Sequence, residues 1–101
     1  MNYVVADDAT ADLDRIWHYI EAENPEAADR LLAAARKSFE AIARNPEIGS
    51  QRSFRRAAGI RSRQIRGFET YLVFYRVRAN NIEILRVLHE IRDLPRFFKR
   101  P

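Results

Sequence analysis

The hydrophobic period of this chain changes once, near residue 50, and that change constrains its fold more than any other feature. Before it, apolar residues recur as one face of a helix; after it, they alternate as on a strand. Tyr3 to Ala6 reads as a short strand, and Asp7 or Asp8 is offered as the cap of a first helix. Leu13, Ile16, Trp17 and Ile20 then form its apolar stripe, with Trp17 expected as a core anchor and Asp12, Asp14, Arg15, His18 and Glu21 largely outside it. Asn24-Pro25 closes that helix and opens a second. Asn is a good cap, and proline at the first helical position loses an N–H that would have no intrahelical partner. Ala28, Leu31, Leu32, Ala35, Phe39 and Ile42 carry the second stripe, which Asn45-Pro46 and Gly49 terminate.

Three strands are expected in the second half. Ile60 to Arg66 is the first, turning at Gly67-Phe68. Thr70 to Arg78 is the second, with Tyr71, Val73, Tyr75 and Val77 on one face. Ile82 to Leu88 is the third, with Ile82, Ile84 and Arg86 alternating with Glu83, Leu85 and Val87. Asparagines at 80 and 81 suit the turn between the last two. The expected order is β-α-α-β-β-β: an α+β fold, with a helical hairpin on one face of a small, mainly antiparallel sheet. Its other face is expected to stay open or to meet a partner. A chain of 101 residues has room for one core, so residues 1–101 are read as one domain.

Composition narrows the function. With 47% apolar and 32% charged residues, the chain is expected to fold rather than stay disordered. Cysteine is absent, which removes disulfides and thiolate metal sites. His18 and His89 are the only histidines and lie far apart, and Gly49, Gly59 and Gly67 make no phosphate loop, so no metal or cofactor is expected. Neither a leader peptide nor a membrane span is expected, and the protein is read as cytoplasmic. The carboxylates Asp7, Asp8, Asp12 and Asp14 are assigned to the favourable field of a helix N-terminus.

Charge is divided unevenly. Residues 1–50 hold 5 Lys/Arg against 10 Asp/Glu; residues 51–101 hold 13 against 4. Such asymmetry points to an acidic or polyanionic partner for the C-terminal half. Arg52, Arg55, Arg56, Arg61, Arg63 and Arg66 fall within fifteen positions, and Arg61 and Arg63 share a sheet face. Guanidinium forks suit phosphate and carboxylate equally, so this series does not separate nucleic acid from an acidic protein. The residues expected at a partner surface are Arg61, Arg63, Arg66, Arg76, Arg86, His89, Arg92, Phe97 and Phe98. His89 and Arg92 either act together on a phosphate or, with Asp93, form a hydrogen-bonded end to the sheet.

From about residue 3 to 94 the chain resembles the ParE/RelE toxin superfamily. The resemblance rests on the order and spacing of Ala11-x-Leu13-x-x-Ile16-x-x-Tyr19-Ile20, Asn24-Pro25-x-Ala27-Ala28, Asn45-Pro46-x-x-Gly49 and Gly59-Ile60-Arg61. It continues with Tyr71-Leu72-Val73-Phe74-Tyr75-Arg76-Val77 and with Ile82 to His89-x-x-Arg92-Asp93. It implies the toxin of a type II toxin–antitoxin pair, serving plasmid stabilisation. Such a toxin is held in a hetero-oligomeric complex by a cognate ParD-like, ribbon-helix-helix antitoxin. ParE-like members inhibit DNA gyrase by binding. RelE-like members are ribosome-dependent mRNA endoribonucleases, and that alternative would use Arg61, Arg63, His89 and Arg92. Nuclease members typically carry Arg where this chain has Leu72, and often a late Tyr where it has Phe98. Those departures favour the ParE-like branch.

Overall fold

The computed structural model describes residues 1–54 and 57–93. Strand β1 (Asn2–Val5) leads into helices α1 (Asp7–Glu21) and α2 (Pro25–Arg44). Strands β2 (Ser50–Phe54), β3 (Ala57–Ile65), β4 (Phe68–Val77) and β5 (Asn81–His89) follow. The sheet order is β1-β5-β4-β3-β2; β1 runs parallel to β5 and every other neighbour pair is antiparallel. This is the expected α+β arrangement with one strand more. β2 lacks an alternating apolar pattern because it is an edge strand, paired on one side to β3.

The local signals explain most boundaries. The Asn24 side chain accepts from the Ala27 amide at 3.1 Å, with Pro25 in the first turn of α2. At α1 the cap is Ala6, without a side-chain bond, so Asp7 and Asp8 act through the helix field instead. Gly67 takes φ 89° in the tight β3–β4 turn, a conformation that costs glycine little.

Helices and sheet enclose one main core. Ile16 of α1 and Leu31, Phe39 and Ile42 of α2 pack on Tyr71, Val73 and Tyr75 of β4 and Ile82, Ile84 and Val87 of β5. Two expected stripe residues lie outside it. Trp17 is half-buried and its indole N–H donates to Asp29 at 3.2 Å, tying α1 to α2; Leu32 is exposed. The opposite sheet face is not simply open, for Ile60, Leu72, Phe74 and Leu88 form a second buried cluster there.

The simple alternation expected for β5 fails at one point. Tyr75 pairs with Ile84 and Phe74 with Arg86, so Leu85 is an inserted residue, a β-bulge. Before it Ile84 faces the helices; after it Val87 does. β1 accompanies β5 only as far as Ile84, and α1 takes over beyond. There Asp12, 1% exposed, accepts from the Val87 amide at 2.9 Å and from Arg86 Nε and Nη2, both at 2.8 Å. Arg15 donates to the same carboxylate. Asp12 is therefore a buried anchor and not merely part of an acidic helix start.

A second clip fixes the α2–β2 loop. The Tyr75 hydroxyl donates to the Pro46 carbonyl and accepts from the Gly49 amide, both at 2.8 Å. Burial raises the pKa of the Tyr75 phenol above its usual value, despite the Gly49 amide and the nearby Arg61 and Arg63, so it stays a neutral donor. A Cβ on Gly49 would lie 2.7 Å from the Tyr75 ring and 2.8 Å from the Ser62 carbonyl.

Two stability predictions follow from these clips. Asp12→Ala removes the carboxylate that answers the part-buried Arg86 guanidinium and the Val87 amide, and is expected to cost about 3–5 kcal/mol in urea unfolding. Joint replacement, Asp12→Leu with Arg86→Met, is expected to recover most of that loss; a double variant as unstable as Asp12→Ala would contradict the account. Gly49→Ala is expected to cost about 1–3 kcal/mol through overpacking. Tyr75→Phe should not rescue it, since the Ser62 carbonyl is backbone; full rescue would show that the phenol alone limits the site.

Candidate partner-binding surfaces

The arginines expected to form one surface go to four different places. On β3, Arg61 pairs with Tyr75 and Arg63 with Val73, so both project from the helix-bearing side. Arg61 Nη1 donates to the carbonyls of Gly49 at 2.7 Å and Glu47 at 3.3 Å, reinforcing the loop that Tyr75 holds. Arg63 continues toward Arg66 and the β3–β4 turn, where both line a groove against α2. Arg86 turns to Asp12, whose hydrogen bond raises the guanidinium's pKa against the opposing cost of burial. It therefore braces the fold rather than offering its charge outward.

The opposite sheet face carries the remaining strand cations. Arg52 lies over the Phe74 ring at 5.6 Å, and its Nε donates to Ser62 Oγ at 2.7 Å. This cation–π contact shields Phe74 while keeping charge at the surface. Arg76 and Arg78 converge on Glu83 at 3.4 and 3.3 Å. Arg76 Nε is buried with no hydrogen-bond partner among the described residues. A cavity of about 670 Å³ on this face includes Arg52, Leu72, Glu69 and Glu90, so its charge is mixed.

The end of β5 closes on itself. His89 Nδ1 accepts from the amides of Ile91 at 3.3 Å and Arg92 at 3.1 Å. Asp93 accepts from the His89 amide at 2.9 Å and pairs with Arg92 Nε at 3.2 Å. Burial alone would raise the Asp93 carboxyl, but the His89 amide and Arg92 guanidinium outweigh it and hold the pKa below its usual 3.8. Arg92 is raised in turn, mainly by its bond to Asp93. The His89 ring meets Tyr71 edge-on at 5.4 Å, and the Arg92 guanidinium lies 5.6 Å from the ring centre of exposed Tyr19. Ile91, 78% exposed, adjoins Arg92 in sequence.

Arg55, Arg56, Leu94, Phe97 and Phe98 lie outside the described residues. Sequence reasoning missed three cations of α2, Arg30, Lys37 and Arg44, which line the same groove as Arg63 and Arg66. The signal was available: they recur every seventh residue, on one helical face, within an otherwise acidic half. Among the described residues no group of His, Cys, Asp and Glu is arranged to hold a metal ion, and no helix is long and apolar enough to cross a membrane.

Fold and surfaces together describe a small α+β protein built around charged anchors. The family model described as the ParE toxin of type II toxin–antitoxin system, parDE, matches residues 3–94. The chain belongs to this ParE toxin family. No curated protein matches it by sequence. Among solved structures, it is similar to a chain of the chromosomal ParDE TA system from P. aeruginosa, with a TM-score of 0.72 and 25% identity. That similarity covers 88% of this chain and 95% of the other.

The Asp93 arrangement has a pH signature. Its folded pKa is depressed, so its contribution to stability is present above 3.8 and is lost as pH falls through the folded value. Asp93→Asn is expected to flatten the acid limb of a stability–pH profile between about pH 2 and 5. Parallel wild-type and variant profiles there would remove Asp93 as a contributor.

Proposed function

We propose that this toxin-family chain acts by binding, with DNA gyrase as target and a cognate, ParD-like ribbon-helix-helix antitoxin as its restraint in a hetero-oligomeric complex. The state of His89 carries this reading. Two backbone amides donate to Nδ1, which serves as the acceptor that closes the turn. The ring is thus committed to closing a turn, which disfavours it as the proton carrier of a ribonuclease.

Other groups support the same choice. Arg61, which the nuclease alternative requires, is spent on two loop carbonyls, and Arg92 is paired with Asp93. Leu72 is 3% exposed within an apolar cluster and supplies no cation to its sheet face. A binding mechanism needs none of these groups to move protons. It needs exposed side chains such as Tyr19 and Ile91 and surface cations that remain free to meet a partner.

The decisive experiment exposes gyrase with supercoiled plasmid, and separately translating ribosomes with a defined mRNA, to the purified chain. Linear, protein-linked plasmid with intact mRNA is expected; codon-positioned mRNA cuts without an effect on gyrase would overturn the proposal. His89→Asn retains an acceptor for the turn amides and is expected to keep most toxicity. A nuclease dependent on proton transfer by His89 would instead lose roughly 10²–10⁴-fold in rate.

A further inference from the structure

On the sheet face away from the helices, one cross-strand row sets two guanidiniums on either side of a buried apolar residue. Arg52 of β2 stands opposite Ile60 of β3, and Ile60 stands opposite Arg76 of β4. Strands about 4.8 Å apart place the two arginine backbones about 9.6 Å from each other, with both side chains on one face. Neither cation is fully answered among the described residues. Arg52 uses Nε on Ser62 Oγ, which leaves its two terminal nitrogens. Arg76 Nε is buried without a hydrogen-bond partner, and Nη2 reaches Glu83 only at 3.4 Å. Arg78 draws on the same Glu83 oxygen, from Nε at 3.4 Å and from Nη2 at 3.3 Å. One carboxylate oxygen thus serves two guanidiniums, at distances longer than a charge-assisted hydrogen bond prefers.

Arg52 and Arg76 both line a cavity of about 870 Å³ at the β2–β3 end of the sheet, a volume suited to a small organic molecule. Pro46, Ile60 and Val77 give it apolar wall, and Asn45 and Gln51 bring amides. Arg61 borders it too, but is held by the carbonyls of Glu47 and Gly49. Two guanidiniums facing one space select the shape of the anion. The two oxygens of a carboxylate are used up by one fork, whereas a phosphate has three terminal oxygens and answers two forks from opposite sides. We propose that this cavity binds a phosphorylated nucleoside, its phosphate between Arg52 and Arg76 and its base against Pro46 and Val77. Turning Arg76 from its long Glu83 contact toward the phosphate gives Nε and Nη2 the paired acceptor they lack. A nucleic-acid strand fits less well, because it needs a continuous cationic track for its backbone. Here Glu47 borders the cavity and Glu83 stands beyond Arg76, so acid lies on both sides of the phosphate position.

This site goes beyond the binding of gyrase and antitoxin and depends on neither. The test titrates ADP, GDP, CDP and UDP into the full chain by calorimetry, with adenosine, inorganic phosphate and a short single-stranded oligonucleotide as comparisons. At least one nucleotide is expected to bind with a Kd below about 1 mM, and at least about tenfold more tightly than adenosine or inorganic phosphate. Arg76→Gln is expected to weaken it about tenfold or more. Ala58→Glu, an exposed position on the cavity wall that touches neither arginine's packing, is expected to do the same with thermal unfolding unchanged, because it sets a carboxylate beside the phosphate. Glu83→Gln releases Arg76 and removes a nearby negative charge, so it is expected to tighten binding about threefold or more. A merely structural arginine pair would not respond in these opposite directions. Four results would overturn the proposal: no nucleotide bound at about 1 mM, inorganic phosphate bound as tightly as the nucleotide, wild-type affinity in Ala58→Glu, or displacement of the nucleotide by lower concentrations of the oligonucleotide.

Discussion

The whole arrangement depends on one carboxylate. Strand β5 is long and lies between β1 and β4, but β1 covers only its first half, so its second half would present a bare edge to α1. A buried strand amide without a partner costs on the order of 1–3 kcal/mol. Asp12 removes that cost at Val87 and, with the same two oxygens, neutralises Arg86. Its own burial is tolerable because donors from Arg15, Arg86 and Val87 replace the water it gives up. Without such satisfaction a buried ion would be expelled or protonated; with it, the pair fixes where α1 crosses the sheet.

The bulge at Leu85 belongs to the same solution. Strict alternation would have sent Arg86 to the side of Ile82 and Ile84, into the apolar layer beneath the helices. One inserted residue hands that position to Val87 instead and leaves Arg86 able to reach the edge where Asp12 stands. The second clip works by similar economy. The Tyr75 ring fills the core while its hydroxyl, with Arg61, satisfies carbonyls and an amide in the loop from Pro46 to Gly49. That loop sets the start of β2, and β2 in turn brings Arg52 over Phe74 on the far face.

The fold was largely legible because its signals are local. Helical stripes, the Asn24-Pro25 start and the alternation in β4 are each written within a few residues, and the structure contains them. Three things were not legible, for physical reasons. β2 has no apolar alternation, since a polar edge strand needs pairing on one side only. The bulge cannot be read from β5 alone, because its necessity comes from where β1 stops. Asp12 was read as a helix-start carboxylate, although it lies between Ala9 and Ile16 on the buried face of α1. A charge in that position and a lone Arg86 among apolar β5 residues are two halves of one signal, separated by 74 residues. Partner residues were harder still: Phe97 and Phe98 fall beyond the described chain, and a list of arginines does not say which are occupied.

That last distinction bears on function. Guanidinium groups serve here in two opposed ways. Arg86 and Arg61 are held by internal oxygens, so their charge is already answered within the fold. Arg63 and Arg66 line a groove with Arg30, Lys37 and Arg44, and they also border the cavity that holds Glu69 and Glu90. Net charge by sequence half therefore misleads, because three groove cations come from the half whose total is acidic. In a domain this small the same helix buries one side and leaves the other at the surface. α2 does so by placing Leu31, Ala35, Phe39 and Ile42 inward and Arg30, Lys37 and Arg44 at the surface. Those surface cations can change without disturbing the packing, whereas changing Asp12 or Arg86 would loosen the crossing of α1 over the sheet.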